Sequence, residues 1–114
     1  MQEVKDIVEF ADFDRLDIRV GTIVDVQPFP RARNPSWKVQ VDFGAIGTRW
    51  SSAQITAYPA EELIGSQMCC VVNFAPRNIA GFQSEVLILG LKGVDGMIVL
   101  VSPRSSVPDG NRLC

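Results

Sequence analysis

The sequence predicts an all-β protein, a small β-barrel with minor helices. Its apolar residues occur in short or alternating runs bounded by glycine and proline, and no apolar run exceeds about seven residues, which is typical of strands. Three such runs precede a short helical pattern, and two or three follow it. Five short strands with one helix after the third are the layout of the OB-fold, a five-stranded Greek-key barrel. A β-sandwich is the alternative, but it requires about seven similar strands.

Residue patterns predict the individual strands. The first covers residues 17–26, where Gly21 in the middle indicates a bend or bulge. The second covers residues 37–43 and alternates strictly between apolar and polar side chains, which places Trp37 in the core. The apolar residues that share one phase of the first strand are Ile18, Val20, Val24 and Val26, and further strands are predicted over 48–53, 68–74, 86–89 and 97–101.

Two helices are predicted. Val4, Ile7, Val8 and Ala11 recur at the spacing of one helix face, so residues 1–12 form an N-terminal helical extension of the barrel domain, residues 13–114. A helix this short is marginal alone and must dock on its own barrel or on a second subunit. The second helix covers residues 58–65, with Pro59 at its first position and a glycine at its end.

Composition excludes several classes of protein. The chain has 114 residues and no histidine, so it cannot carry a histidine-based triad, a histidine-containing zinc site or an imidazole acid/base. Its three cysteines, of which Cys69 and Cys70 are adjacent, do not form a disulfide framework. We expect a non-catalytic protein without cofactor or metal. The absence of a signal-like or membrane-length apolar stretch predicts a cytoplasmic protein without membrane insertion.

Charge is unevenly distributed along the chain. The net charge is −2, but residues 1–17 contain six acids and two bases, so the remainder has nine bases and seven acids. An anion-binding surface therefore belongs to the body of the domain. Arg31, Arg33, Lys38 and Arg49 form one basic stripe if the strands align them on the same face; a solvated ion-pair surface is the alternative.

A polar segment, residues 73–85, connects two buried strands and is predicted to be a loop held on a rigid base. Within it, Arg77 is either a clamp for phosphate or carboxylate or an ion-pair partner of Glu85. Asn73 and Ser84 either contact a ligand or bond the loop backbone. Phe82, together with Trp50 on the third strand, either stacks on bases or belongs to the core or a dimer interface.

Several collinear motifs resemble a known family, the OB-fold tRNA-binding domains, which occur as free-standing dimers and as appendages of some aminoacyl-tRNA synthetases. The resemblance extends from about residue 13 to 101, and Ser51–Thr56 is similar to the CsaA branch. At Phe29-Pro30 the chain departs from the His-Pro that these domains usually carry. The other motifs are Leu16–Val24, Phe29–Arg33, Val41–Gly44, Val71–Arg77 and Gly81–Val86.

This resemblance implies a function. The CsaA branch is described as export-related chaperones, homodimers that bind unfolded or precursor polypeptides and carry a tRNA-binding-type domain. A structure-selective tRNA-binding protein, acting as a tRNA chaperone or synthetase helper, is the alternative. No catalytic or metal-binding residue is predicted, and the candidate RNA- or peptide-binding residues are Arg31, Arg33, Lys38, Arg49, Trp50, Asn73, Arg77, Phe82 and Ser84.

Overall fold

A five-stranded antiparallel sheet forms the body of the computed structural model, which describes residues 3–114. The strand order is β3-β2-β1-β4-β7, and the two end strands β3 and β7 come into contact, so the sheet forms a nearly closed barrel, which confirms the OB-fold. The elements in chain order are α1 (Phe10–Asp14), β1 (Ile18–Pro28), β2 (Trp37–Asp42), a 3₁₀ turn (Gly44–Ile46), β3 (Thr48–Ala53), α2 (Ala60–Leu63), β4 (Gln67–Val71), β5 (Arg77–Ile79), β6 (Phe82–Ser84), β7 (Leu87–Ile88), β8 (Gly90–Lys92) and β9 (Ile98–Leu100).

The barrel is closed by the chain that links β6 to β7. The backbone N–H of Glu85 donates to the carbonyl of Trp50 (2.8 Å), and the N–H of Trp50 donates to the carboxylate of Glu85 (2.9 Å). The N–H of Ser52 donates to the hydroxyl oxygen of Ser84 (3.0 Å). These bonds occupy the free edge of β3, because an edge strand otherwise presents unpaired backbone groups.

Replacing Glu85 tests this closure. We expect Glu85→Ala to lower the free energy of unfolding by about 1–3 kcal/mol, because the half-buried N–H of Trp50 loses its acceptor. Glu85→Gln keeps an acceptor oxygen and should recover most of that loss. Urea unfolding of both variants measures the difference, and equal destabilisation by Ala and Gln would contradict the role of this bond.

The core lies between β1, β2, β4 and α2, which contributes the buried Leu63. Its largest fully buried side chains include Phe43, Ile23 and Met68. At Gly21, β1 packs closely against β2, since a Cβ there would be 2.5 Å from Cγ1 of Val41. The irregularity predicted at Gly21 lies further along β1, as a register shift between Ile23 and Asp25.

That shift changes which residues of β1 face inward. Ile23 before the shift and Val26 after it pack in the core, whereas Val24 has no partner in β2 and is exposed, so the prediction that Val24 and Val26 share one phase is wrong. A bulge inserts one residue into one strand and thereby reverses the facing of the residues after it. Trp37 packs against the core, as predicted, and its indole N–H donates to the carbonyl of Tyr58 (3.1 Å).

The predicted N-terminal helix is wrong in its position. Residues 3–9 have no regular structure, and α1 covers Phe10–Asp14. Val4 and Ile7 are 97% and 99% exposed, so no packing offsets the cost of helix nucleation. Residues 1 and 2 of the predicted extension lie outside the described residues, and its division from the barrel at residue 12 stays a prediction.

Two short segments, α2 and residues 73–85, differ from what the sequence predicted. α2 begins at Ala60 and Pro59 is its N-cap, so the proline lies one position earlier in the helix than predicted. The segment predicted as a loop, residues 73–85, contains the hairpin of β5 and β6, in which Ile79 pairs with Phe82. Its two-residue turn, Ala80-Gly81, has φ values of +49° and +86°, a conformation typical of tight hairpins.

Candidate nucleic-acid and polypeptide interface

The outer face of β2 and β3 carries the first group of predicted site residues. Lys38 pairs with Ser52, and Gln40 pairs with Trp50, whereas the alternate residues Val39 and Val41 are buried. Because directly opposed residues of an antiparallel pair point to the same face, Lys38 and Trp50 both lie on the outside of the barrel. The structure therefore brings these two predicted residues together.

The hairpin and the loop after β1 complete an aromatic–lysine cluster of Phe29, Lys38, Trp50 and Phe82. The ammonium of Lys38 lies 4.9 Å from the ring centroid of Phe29 and 5.1 Å from that of Phe82. Phe82 meets Phe29 and Trp50 edge-on, at centroid distances of 5.4 Å and 6.1 Å. Cation–π attraction to the rings of Phe29 and Phe82 holds the ammonium of Lys38 beside them.

Arg31 extends this cluster. It is exposed and lines a hollow of about 260 Å³ together with Phe29, Lys38 and the turn residues Ala80 and Gly81. A cation beside half-exposed aromatic rings is the combination with which OB-folds hold single-stranded nucleic acid, where bases stack on rings and cations meet phosphates. The hollow is thus chemically suited to an unpaired nucleotide.

Arg49 does not belong to this surface. It pairs with the buried Val41, so its side chain starts in the opposite phase from Lys38 and Trp50, and its guanidinium donates to the carbonyl of Thr48 (2.9 Å). The predicted basic stripe is wrong at this residue. Because successive side chains of a strand point to opposite faces, the neighbouring residues Arg49 and Trp50 of β3 lie on different faces of the sheet.

The second concave surface is a groove of about 600 Å³, which we term the seam groove. It lies between residues 52–55 and residues 87–90, with the half-buried Ile98 and Leu100 among its apolar lining. Arg33 and Arg77 are both exposed and line the same groove. The structure therefore brings these two predicted arginines together beside apolar surface.

The alternative interpretation of Arg77 as a partner of Glu85 is not supported. Among residues 3–114, the salt bridge within 4.0 Å joins Arg19 to Asp17, and Arg77 forms none with Glu85. The carboxylate of Glu85 instead accepts a hydrogen bond from the backbone N–H of Trp50. Arg77 is consequently available to an anionic group of a ligand.

Asn73 and Ser84 have backbone partners. The side-chain oxygen of Asn73 accepts from the N–H of Asp17 (2.8 Å), and its amide donates to the carbonyl of Arg15 (2.8 Å). The hydroxyl of Ser84 accepts from the backbone of Ser52 at the closure of the barrel. Both residues stabilise the fold, which was one of the two alternatives drawn from the sequence.

Sequence reasoning missed Phe29 as a site residue. Its ring is buried between the loop after β1 and the β5–β6 hairpin, where it meets Phe82 edge-on. The signal was an aromatic residue between prolines and immediately before Arg31-Ala32-Arg33. The apolar lining of the seam groove was also missed, because its residues come from five separate parts of the chain.

The adjacent thiols on β4 are unreactive in character. Burial raises the pKa of the Cys70 thiol to about 12, to which the neighbouring Cys69 contributes, and burial also raises the pKa of Cys69. The thiolate is the reactive form, and a pKa near 12 leaves a thiolate fraction of about 10⁻⁴ at pH 8.

Thiol titration should distinguish the three cysteines. In native protein at pH 8, an aromatic disulfide reagent should modify the exposed Cys114 rapidly and leave Cys69 and Cys70 unmodified. In denaturant all three should react. Rapid modification of either remaining thiol in native Cys114→Ser protein would contradict the burial of the pair.

Metal-binding clusters and membrane-spanning helices are both absent from the described part of the chain. Residues 3–114 contain no group of three or more Cys, Asp or Glu side chains arranged to hold a metal ion. Over the same residues, no helix has the length and apolar character needed to cross a membrane.

Comparison with known proteins identifies the family. The model of the family described as "Putative tRNA binding domain" matches residues 18–112. The chain therefore belongs to the tRNA-binding domain family. Within it the chain is CsaA-like: the structure of chaperone CsaA from Bacillus anthracis shares 44% identity at a TM-score of 0.90, covering 96% of this chain and 100% of that one.

Other relatives carry the same domain in different settings. CsaA chaperone protein from Picrophilus torridus shares 43% identity at a TM-score of 0.89, over 95% of this chain and 100% of that one. A methionine–tRNA ligase from Bacteroides fragilis is 37% identical over 106 residues, which are 93% of this chain and 16% of the ligase. The chain thus spans about one-sixth of the length of the curated relatives that it matches.

Proposed function

We propose that this protein is a non-catalytic chaperone that binds unfolded or precursor polypeptides. The observation that carries this proposal is the seam groove, an open surface of mixed polarity in which apolar side chains such as Ile98 and Leu100 lie beside Arg33 and Arg77. Burial of apolar area in such a groove contributes about 25 cal/mol per Å². The similarity to two CsaA chaperones over nearly the whole chain supports the same function.

A test of this proposal measures light scattering of a chemically unfolded client diluted into buffer. The protein should suppress aggregation at near-stoichiometric ratios. Leu87→Asp places a charge at a half-exposed position of the groove and should abolish the suppression, whereas Val24→Asp changes an equally exposed apolar residue outside it and should not. If both variants protect clients equally, the groove is not the binding surface.

We also propose that the chain functions as a homodimer joined through its N-terminal segment. Val4, Ile7 and Val8 are exposed in a segment that also carries acidic Glu3, Asp6 and Glu9. Beside α1 lies a hollow of about 510 Å³, whose lining combines apolar Phe13, Leu16, Ile18 and Leu113 with two acids and two bases, Asp14, Asp17, Arg15 and Arg112. Its apolar part favours this hollow as the docking site for the apolar side chains of the segment of a second copy.

Sedimentation velocity tests the dimer. The unmodified chain should sediment as a dimer, and Ile7→Asp with Val8→Asp should convert it to a monomer at micromolar concentration. Val24→Asp serves as the control, since it introduces the same charge at another exposed apolar site. A monomeric unmodified chain, or a dimer that survives the double substitution, would reject this mode of assembly.

A second function, binding of structured tRNA, is favoured by the aromatic–lysine cluster. Its hollow, with Arg31 beside it, is lined by the turn and β6 end of the hairpin at Ala80, Gly81 and Phe82, whereas the seam groove is lined by Arg77 and Ile79 of β5. The family match and the similarity to part of methionine–tRNA ligases support this function. We propose that an unpaired nucleotide stacks on Phe82 or Trp50 while Lys38 and Arg31 meet its phosphates.

A further inference from the structure

The seam groove opens where the two edges of the barrel separate. β3 and β7 are the edge strands of the five-stranded sheet, and the bonds of Trp50 and Ser52 to the β6–β7 link join them at one end. Beyond Ser52 the groove lies between the two edges. An edge strand with free backbone groups is a template for pairing with another chain.

The backbone of Ile88 faces this groove. Ile88 is paired with Cys70 of β4, and the next residue, Leu89, donates its N–H to the carbonyl of Cys69 (3.0 Å). In an antiparallel ladder, the N–H and C=O of successive residues point alternately toward and away from the partner strand. Those of Ile88 therefore point away from β4, and over residues 3–114 β7 is hydrogen-bonded to β4 and is not paired with β3.

The side chains around this edge define what an added segment must contain. Ile98 and Leu100 supply apolar surface. Arg33 and Arg77 supply two exposed positive charges, and the lining of the groove, as far as residues 3–114 form it, includes no Asp or Glu. A complementary ligand has apolar side chains on one side of an extended backbone and a carboxylate near them, since a guanidinium binds a carboxylate with two parallel hydrogen bonds.

We propose that a client polypeptide binds in the seam groove as an added β-strand. Its backbone pairs with the N–H and C=O of Ile88, its apolar side chains contact Ile98 and Leu100, and an acidic side chain pairs with Arg33 or Arg77. This inference rests on the proposed chaperone function and specifies its ligand: short extended segments in which apolar residues are flanked by Asp or Glu. Backbone pairing supplies affinity that is independent of sequence, and the arginines supply the preference.

The test uses the full chain and a fluorescent nine-residue peptide of alternating isoleucine and serine with one glutamate. Amide hydrogen exchange measured by NMR should slow at least about tenfold at Ile88 when the peptide binds, because that N–H gains an acceptor. The N–H of Leu89 is already bonded to Cys69 and should not change, so it is the internal control.

A charge exchange tests the acidic preference. Arg33→Glu with Arg77→Glu should weaken binding of the glutamate peptide by at least about tenfold, and a matched lysine peptide should recover it. Arg49→Glu changes an arginine outside the groove and should leave the affinity for both peptides unchanged.

The outcomes separate this inference from the function on which it rests. If the protein protects clients and binds the peptide but exchange at Ile88 is unchanged, or the lysine peptide gains nothing, strand addition is wrong while the chaperone function stands. If the protein neither binds the peptide nor protects clients, both are wrong. Loss of tRNA binding in the Arg33, Arg77 variant with unchanged peptide affinity would assign the groove to RNA and also overturn the inference.

Discussion

Phe82→Ala should weaken binding of a mixed tRNA pool by about 5- to 150-fold, because stacking of a base on an aromatic ring is worth about 1–3 kcal/mol. The ring of Phe82 is half-exposed and lies in contact range of Phe29, Trp50 and the ammonium of Lys38. Its removal therefore takes away a stacking surface and also one of the two rings that position the lysine. Fluorescence anisotropy across a salt series measures both affinity and its salt dependence.

Lys38→Ala separates the charge from the ring. It should reduce the slope of log affinity against log salt by about one, whereas Phe82→Ala should leave that slope nearly unchanged. Arg49→Ala is the matched control, since Arg49 lies in the opposite phase of β3 and should retain affinity within about twofold. An Arg49→Ala effect as large as that of Lys38→Ala, or a salt-independent affinity of the unmodified protein, would exclude the aromatic–lysine cluster as the RNA site.

Gly21→Val should destabilise the fold by about 3 kcal/mol, which is the upper range for overpacking a core. A Cβ at Gly21 would lie 2.5 Å from Cγ1 of Val41, 2.8 Å from Cδ1 of Phe43 and 2.9 Å from the carbonyl oxygen of Asp42. The last contact is with backbone, so β1 and β2 must move apart to relieve it. Thermal and urea unfolding measure the loss.

A control on the same strand identifies the cause. Val24→Ala removes atoms from an exposed position of β1 and should change the free energy of unfolding by less than about 0.5 kcal/mol. Gly21→Ala should lower the free energy of unfolding by an amount between those of Gly21→Val and Val24→Ala. The side chains of Val41 and Phe43 can move away from the added methyl group, but the carbonyl of Asp42 cannot. A Gly21→Val protein as stable as the unmodified chain would mean that β1 and β2 are less closely packed there.

Strands with one buried face were predictable from the sequence. Residues 48–53 and the alternation from Trp37 to Val41 match β3 and β2, because period-two burial leaves a direct trace in residue type. The facing of Val24 was not predictable, since it depends on the position of the bulge against β2. The helix from Val4 failed for a related reason: helical spacing alone does not supply a surface to pack against.

The candidate site was predictable in its residue types but not in its grouping. Lys38, Trp50 and Phe82 were selected separately, and the cluster forms because strand pairing and the hairpin bring them to Phe29. Arg49 was selected with them and lies in the other phase of its strand. Arg33 and Arg77, also selected from the sequence, lie on the seam groove instead.

Taken by itself, the amino-acid sequence determined the fold class, the helix after the third strand, and the exclusion of histidine chemistry, since these depend on local periodicity and composition. Only the tertiary structure decided which basic and aromatic side chains share a surface and where the barrel opens into a groove. The physical reason is that such surfaces join residues far apart in the chain, and their alignment depends on register, a bulge and the closure of one strand edge on another.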